Sequence, residues 1–395
     1  MNCQICGAGD RGVYLASSRL RILQACGSLS WGGLEMQALT VSLELRKRGH
    51  DVTLLCREKS TLLNEAGRRG IPARGSIFSD SLIFGTIGTV SRWLRNNPMD
   101  VIHTHLSHDL WWLVPAVRLS NTSPALFLTK HVASGVKKDD FLHTYLYRRL
   151  DGVFAVSNYI KTSVFNTCPV DEANVHVIPP GISLQDFGNL RNDPCRVRSE
   201  FNIPMDAIVV GMIGRLSPGK GHEEILQAAK MLSVSSRMDI RFLVVGGASF
   251  GEESYEKKIK DLAAELGLGD RVIFTGFRQD VPRLLACMDI FAFPSHEESF
   301  GLALTEAMAM GIPVVATRSA GVLDIVEENR SGILVSPKNQ TQLAEGILRL
   351  AVNPEIRQEY GIEGRRRVKK LFSIESVVDR LEVYYEKSRK GRKKM

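Results

Sequence analysis

Nothing in the 395-residue sequence reads as a membrane crossing, because no run of about 18 apolar residues occurs. Rhythm is missing from its seven cysteines, at positions 3, 6, 26, 56, 168, 195 and 287. An odd, scattered set argues against a disulfide framework and fits a reducing cytosol. Cys3 and Cys6 form a C-x-x-C, but no second ligand pair follows at a spacing suited to structural zinc. The G-x-G-x-x-G turn that nicotinamide enzymes place after a strand is also missing from the loop that follows the first strand. The loop after Cys26 reads Gly-Ser-Leu-Ser-Trp-Gly-Gly, which argues against a dinucleotide-dependent oxidoreductase. Acids are missing from the last nine residues, which hold Lys387, Arg389, Lys390, Arg392, Lys393 and Lys394. Removing these six charges from the net +8 leaves +2. The basic balance therefore belongs to a tail at 387–395, not to a nucleic-acid-binding face. Such a tail reads as solvated and disordered, or as a contact for an anionic membrane surface. Residues 1–18 lack the apolar core of a signal peptide and read as a loose extension.

What is present is an ordinary globular balance, 44% apolar and 24% charged. The length suits two domains rather than one core. A short apolar strand at 21–26 leads through a Gly/Ser loop at 27–33 into a helical pattern at 35–48, stopped by Gly49. Further strands are expected at 51–56, 101–103, 126–129, 153–156 and 175–178. After a polar stretch near 189–193, a second series runs 208–213, 241–245, 272–275, 290–293, 314–316 and 332–335. Strands alternating with helices imply parallel sheets with crossover helices. Two such series imply α/β architecture with two Rossmann-like doubly wound domains, and ligands at the carboxyl ends of the strands. The expected divisions are an extension at 1–19, domains at 20–188 and 189–372, a helix at 373–386 and the tail. In that helix Ile374, Val377, Val378, Leu381 and Tyr384 recur at helical spacing, so it can pack on either domain.

The richest stretch is 293–317, FPSHEESFGLALTEAMAMGIPVVAT. A strand ends at Phe293, Glu298 falls in the next loop, and a helix is expected over 301–310. Glu306 follows Glu298 by eight residues, about 12 Å along a helix. That is too far for a shared proton and suits two parts of one ligand. The helix start near 299–302 offers free amides and a positive dipole end for a diphosphate, and Gly301 permits close backbone approach.

This stretch resembles the E-x7-E signature of retaining glycosyltransferase family 4, which has the GT-B fold. Other matches fall in order: Ser30-Trp31-Gly32-Gly33-Leu34-Glu35 is similar to the family's glycine loop. Gly214-Arg215-Leu216-Ser217-Pro218-Gly219-Lys220-Gly221 resembles its arginine–lysine loop, and Gly276-Phe277 its loop beside the nucleotide base. The resemblance implies a transferase that takes a sugar from a nucleotide-diphosphate donor, UDP by family frequency. It implies Glu306 on the ribose, Glu298 on the transferred sugar, and Arg215 and Lys220 on the diphosphate. Amides of Phe300, Gly301 and Leu302 would cap phosphate and sugar oxygens, Phe277 would flank the base, and Gly32 and Gly33 would let the first-domain loop close on the phosphates. Fixed cations on a departing diphosphate stabilise the charge it gains. No Asp-x-Asp occurs in the sequence, so no metal or other cofactor is expected. The implied acceptor is a cell-surface glycan, of lipopolysaccharide or polysaccharide type, or a lipid-linked molecule. The implied location is the cytoplasm or the inner face of its membrane.

The resemblance places His131, after the strand at 126–129, beside acceptor and sugar, where a neutral imidazole can orient or deprotonate a hydroxyl. The bland alternative is a loop histidine. His103 and His105 read as structural or acceptor-lining, and Trp111 and Trp112 as core. Lys137, Lys138, Arg148 and Arg149 flank Phe141, Leu142, Tyr145 and Tyr147. That mixture suits either a lipid-linked acceptor or a partly buried helix. Two other functions fit the same scaffold: a nucleotide-sugar epimerase or phosphorylase, and a binding module that keeps the donor cleft.

Overall fold

A computed structural model describes residues 19–76, 83–187, 194–249 and 251–392. The 1–18 extension with its C-x-x-C, residues 188–193 at the expected domain joint, and 393–395 of the tail lie outside the described residues.

Seven parallel strands form the first sheet: β1 (Arg21–Cys26), β2 (Asp51–Arg57), β3 (Ala73–Ser76), β4 (Val101–Thr104), β5 (Ala125–Lys130), β6 (Gly152–Ala155) and β7 (Val175–Val177), in the order β3-β2-β1-β4-β5-β6-β7. Six more form the second: β8 (Ile208–Ile213), β9 (Ile240–Val245), β10 (Val272–Gly276), β11 (Ile290–Phe293), β12 (Val314–Thr317) and β13 (Gly332–Val335), ordered β10-β9-β8-β11-β12-β13. The central strands are continuous apolar runs, as in IVVGMI of β8, because helices cover both faces of a parallel sheet. Strand order reverses between β1 and β4 and again between β8 and β11. The crevice of a doubly wound sheet opens at that reversal. Both glycine-rich loops, after β1 and β8, therefore leave from a switch point.

Strand β3 was not expected. Its sequence, Ala-Arg-Gly-Ser, has no apolar alternation, and it joins as an edge through backbone pairing from Leu54↔Ala73 to Arg57↔Ser76.

The last helix, Ile374–Arg392, returns to the first domain. Ile374, Val377, Val378, Leu381 and Tyr385 are buried with Ile22, Val41, Phe127 and Phe154. Each such side chain contributes about 1.5–3 kcal/mol. Tyr385, four residues after Leu381, takes the buried place expected for Tyr384, which instead stacks on His176 at the edge of the sheet, ring centres 4.2 Å apart. Arg48 anchors the helix through Asp379 (2.6 Å) and Glu382 (2.7 Å), and His50 Nε2 meets Glu382 at 2.7 Å. The basic segment is not loose up to Arg392, since the helix runs through it. Cations near a helix C-terminus oppose its negative dipole end, and Lys390 pairs with Glu386 one turn back. No helix among the described residues is long and apolar enough to cross a membrane.

Candidate active site

The donor side is assembled on three loops at the carboxyl ends of β8, β10 and β11. The 214–221 loop joins β8 to the helix His222–Ser235. It is tied to the loop after β11 by the His296 amide, which donates to the Gly219 carbonyl (2.8 Å). Within this frame Lys220 Nζ lies 2.7 Å from Glu298 Oε2, and the Ser295 hydroxyl donates to the same oxygen (3.3 Å). Arg215 is exposed, with Nη1 3.4 Å from the Ser249 hydroxyl. Phe277 presents its ring to solvent just after β10, where Gly276 turns the chain at φ +70°.

The helix Leu302–Ala309 starts at Gly301, whose φ of +116° suits glycine. Amides of the helix's first turn lack acceptors within the helix. Phe300 is buried edge-on against Phe372, which fixes the loop end. Glu306 sits one turn into this helix. Only part of the residue reaches solvent, its carboxyl has no hydrogen-bond or ion-pair partner among the described residues, and burial pushes it up to about 7.

From the first domain the 27–33 loop reaches across. Its start is tied to Asp109, whose Oδ2 accepts from the Gly27 amide (3.1 Å) and the Thr104 hydroxyl (3.0 Å). Burial raises this carboxyl to about 6. Its end is tied to Glu35, whose Oε2 accepts from the Gly32 amide (2.9 Å). Gly33 then meets the donor helix: a Cβ added there would stand 2.6 Å from Leu302 Cδ1. So the 32–33 end of this loop meets the 300–302 segment, just after the Glu298 that pairs with Lys220.

On the acceptor side three imidazoles gather at the ends of β4 and β5. His105 and His103 stack at 4.7 Å, and His105 Nδ1 lies 3.3 Å from His131 Nε2. Burial holds all three neutral, with His103 and His131 each pushed down to about 3 and His105 well below its ordinary value. Lys130, almost fully buried, donates to the Ser107 hydroxyl (3.1 Å), and burial beside Lys138 lowers its ammonium to about 8. In the helix Phe141–Tyr147, Leu146 and Tyr147 are buried while Phe141 and Leu142 are exposed. Trp112 is buried; Trp111 is partly so, against His143.

Two family models match in succession: "Glycosyltransferase Family 4" over residues 31–186 and "Glycosyl transferases group 1" over 196–367. The chain belongs to the family 4 type of glycosyltransferases. The transferase is 28% identical to a D-inositol 3-phosphate glycosyltransferase of Saccharomonospora viridis, across 95% of this chain and 94% of that one. It is 29% identical to the enzyme of the same name from Acidothermus cellulolyticus, across 85% and 81%. Among solved structures, a glycosyltransferase of Rickettsia africae superposes with a TM-score of 0.84 at 23% identity, over 93% of this chain and 98% of the other. Anabaena Alr3699/HepE, solved with UDP and glucose, gives 0.78 at 23% identity, over 92% and 98%. These establish two facing Rossmann-like domains, the GT-B arrangement.

Several residues that hold the transferase's cleft together escaped the sequence reading. The helix Asn158–Thr167 is capped from the other domain: Asp324 accepts from the Asn158 amide (2.6 Å) and side chain (2.8 Å). Next to it the Ser157 hydroxyl donates to the Ser299 carbonyl (2.6 Å), and the Tyr159 hydroxyl donates to Glu297. These contacts clamp both sides of Glu298 onto the first domain. Ser157 carries a legible N-cap signal; its inter-domain partner Ser299, 142 residues away, carries none. Two larger hollows, about 540 Å³ near Met288 and about 440 Å³ beside Tyr147 and Cys168, lie away from Lys220, Glu298 and Glu306.

Proposed function

We propose that this glycosyltransferase moves a sugar, with retention of configuration and without a metal ion, from UDP-sugar to a hydroxyl of a cell-surface glycan or lipid-linked acceptor. The observation that carries the reading is the Lys220–Glu298 pair at the start of the helix that holds the unpartnered Glu306. Glu306 accepts from the ribose hydroxyls. Lys220 and Arg215 take the diphosphate, one as a point charge and the other as a planar fork. Glu298 orients hydroxyls of the transferred sugar. The bond from anomeric carbon to phosphate oxygen breaks as the acceptor oxygen bonds to that carbon on the same face. The acceptor proton passes to the departing phosphate oxygen, and His131 accepts a hydrogen bond from a hydroxyl beside it. Support for a UDP donor comes from HepE, which holds UDP-glucose, and support for a small polar acceptor from relatives named for inositol 3-phosphate. Basic residues at the end of the last helix hold the enzyme at an anionic membrane face.

The test is a thermal-shift panel of nucleotide sugars, since bound donor stabilises by mass action. Transfer is then assayed in excess EDTA with the sugar that shifts most. Full activity in EDTA and consumption that depends on acceptor support the proposal. Loss restored only by Mn²⁺ or Mg²⁺ refutes the metal-free step, and donor conversion without acceptor points to an epimerase.

A further inference from the structure

The acceptor-side histidines end in an asymmetric chain of hydrogen bonds. Strand register places Gln24 of β1 opposite His103 of β4. His105, two residues on, shares that face. Its Nε2 lies 2.9 Å from Gln24 Oε1, and its Nδ1 lies 3.3 Å from His131 Nε2. The Gln24 amide also interacts with the Tyr385 hydroxyl. That contact is too loose to count as a hydrogen bond, because the buried Gln24 Nε2 finds no partner of full geometry. Tyr385 stands 2.6 Å from His103 Nδ1, and His103 Nε2 is 2.6 Å from the Thr129 hydroxyl. A space of about 10 Å³ lies among His103, His105, His131 and the last helix, which leaves the rings little room to turn.

A neutral imidazole has one N–H and one bare nitrogen, and each bond fixes the next. An amide oxygen can only accept, so Gln24 Oε1 requires the proton on His105 Nε2. His105 Nδ1 is then bare and must accept from His131 Nε2–H. His131 Nδ1 is thereby left bare. It has no partner among the described residues and is not among the buried unpartnered atoms.

We propose that Gln24 is a positioning residue: acting through His105, it holds His131 as the Nε2–H tautomer and turns a bare Nδ1 toward a hydroxyl in the cleft. This rests on the reading of His131 as the group beside the acceptor. A reversed amide would put N–H groups along the chain in the opposite sense and leave His131 as a donor. Tyr385 favours the first sense. The Gln24 amide faces the Tyr385 hydroxyl with its NH₂ group, to which that oxygen offers a lone pair.

The test measures tautomer and turnover separately. In histidine-labelled full-length protein, nitrogen NMR should show His131 protonated at Nε2 and bare at Nδ1. Gln24→Met should give mixed tautomers and at least a tenfold lower kcat for transfer, in line with the roughly 10²–10⁴ of acid–base assistance, with the donor KM unchanged. His105→Phe, which keeps the stacking, should do the same and serves if Gln24→Met does not fold. His131 protonated at Nδ1 in the native chain overturns the proposal, as does an unchanged tautomer in either variant. If His131→Ala keeps full transfer while the tautomer result stands, the acceptor role of His131 fails and the hydrogen-bond chain does not.

Discussion

Lys220 Nζ lies 2.7 Å from Glu298 Oε2, although the proposed mechanism gives the two residues different parts of the donor. Each neutralises the other, so a diphosphate that arrives competes with a carboxylate for the ammonium. Glu298→Gln should therefore strengthen UDP binding while transfer falls, because the sugar contact is impaired. Lys220→Ala should cut transfer by at least about 10²-fold, the usual cost of one lost donor to a developing anion. It should also weaken UDP by more than a lost contact, since the Glu298 charge would face the phosphates unscreened. The double variant should regain part of that binding. Calorimetry on the four proteins closes the cycle; strictly additive losses would show that the pair does not compete with donor.

Glu306 predicts a pH dependence. Its carboxyl is raised to about 7 by burial, whereas in the proposed mechanism the ribose hydroxyls donate to the ionised form. Binding therefore releases a proton at pH below about 7, and UDP affinity should rise as pH climbs from 5.5 to 7.5 and level off above that. Without ligand the sign is opposite. The folded chain holds the proton more tightly than the unfolded one, so this residue's contribution to stability declines between the ordinary value of 4.5 and about 7. Glu306→Gln should flatten both profiles and lower transfer at least about 10²-fold. Calorimetry in buffers of different ionisation enthalpy reads the proton directly. No proton release at pH 6 would place the ribose elsewhere.

How much of this was legible in sequence follows from the range of each interaction. Strands such as β8 and β11 announce themselves by short apolar runs, and the switch-point loops by glycines at their ends. β3 was invisible because an edge strand needs only backbone pairing. Tyr384 and Tyr385 both suit a helical stripe to within one position, and packing against the first sheet decided between them. Lys220, Glu298 and Glu306 were legible as candidate donor residues. The pairing of Lys220 with Glu298 was not, because it depends on two loops 78 positions apart. Gln24 sits on β1, and His105 and His131 sit just past the ends of β4 and β5, three strands whose order is not written in their spacing.

Gly33 predicts a steric effect with a rescue. A Cβ there would stand 2.6 Å from Leu302 Cδ1, the movable end of a side chain. Gly33→Ala should therefore fold with little loss of stability, yet hold the 27–33 loop off the helix whose first amides are proposed to cap the phosphates. Transfer should fall about tenfold, the loss expected from a small misplacement at a reacting centre. Adding Leu302→Ala removes the obstructing atoms and should restore part of the rate. A Gly33→Ala enzyme with native kinetics would mean the two loops need not touch during turnover.

The basic end of the last helix makes the final prediction. Lys387, Arg389, Lys390 and Arg392 extend past Tyr385, the last buried anchor on the first domain. Lys390 has an acid partner one turn back, Glu386. Cations held on one rigid helix, each contributing about 1 kcal/mol near an anionic surface, should bind vesicles rich in phosphatidylglycerol. That binding should weaken as salt shortens the screening length. Deleting residues 387–395 removes nothing from the donor cleft, so UDP binding should persist and report an intact fold. Sedimentation with vesicles should show the full chain bound at low salt and the shortened chain free. Equal binding by both would move the membrane contact elsewhere, with exposed Phe141 and Leu142 the next surface to test.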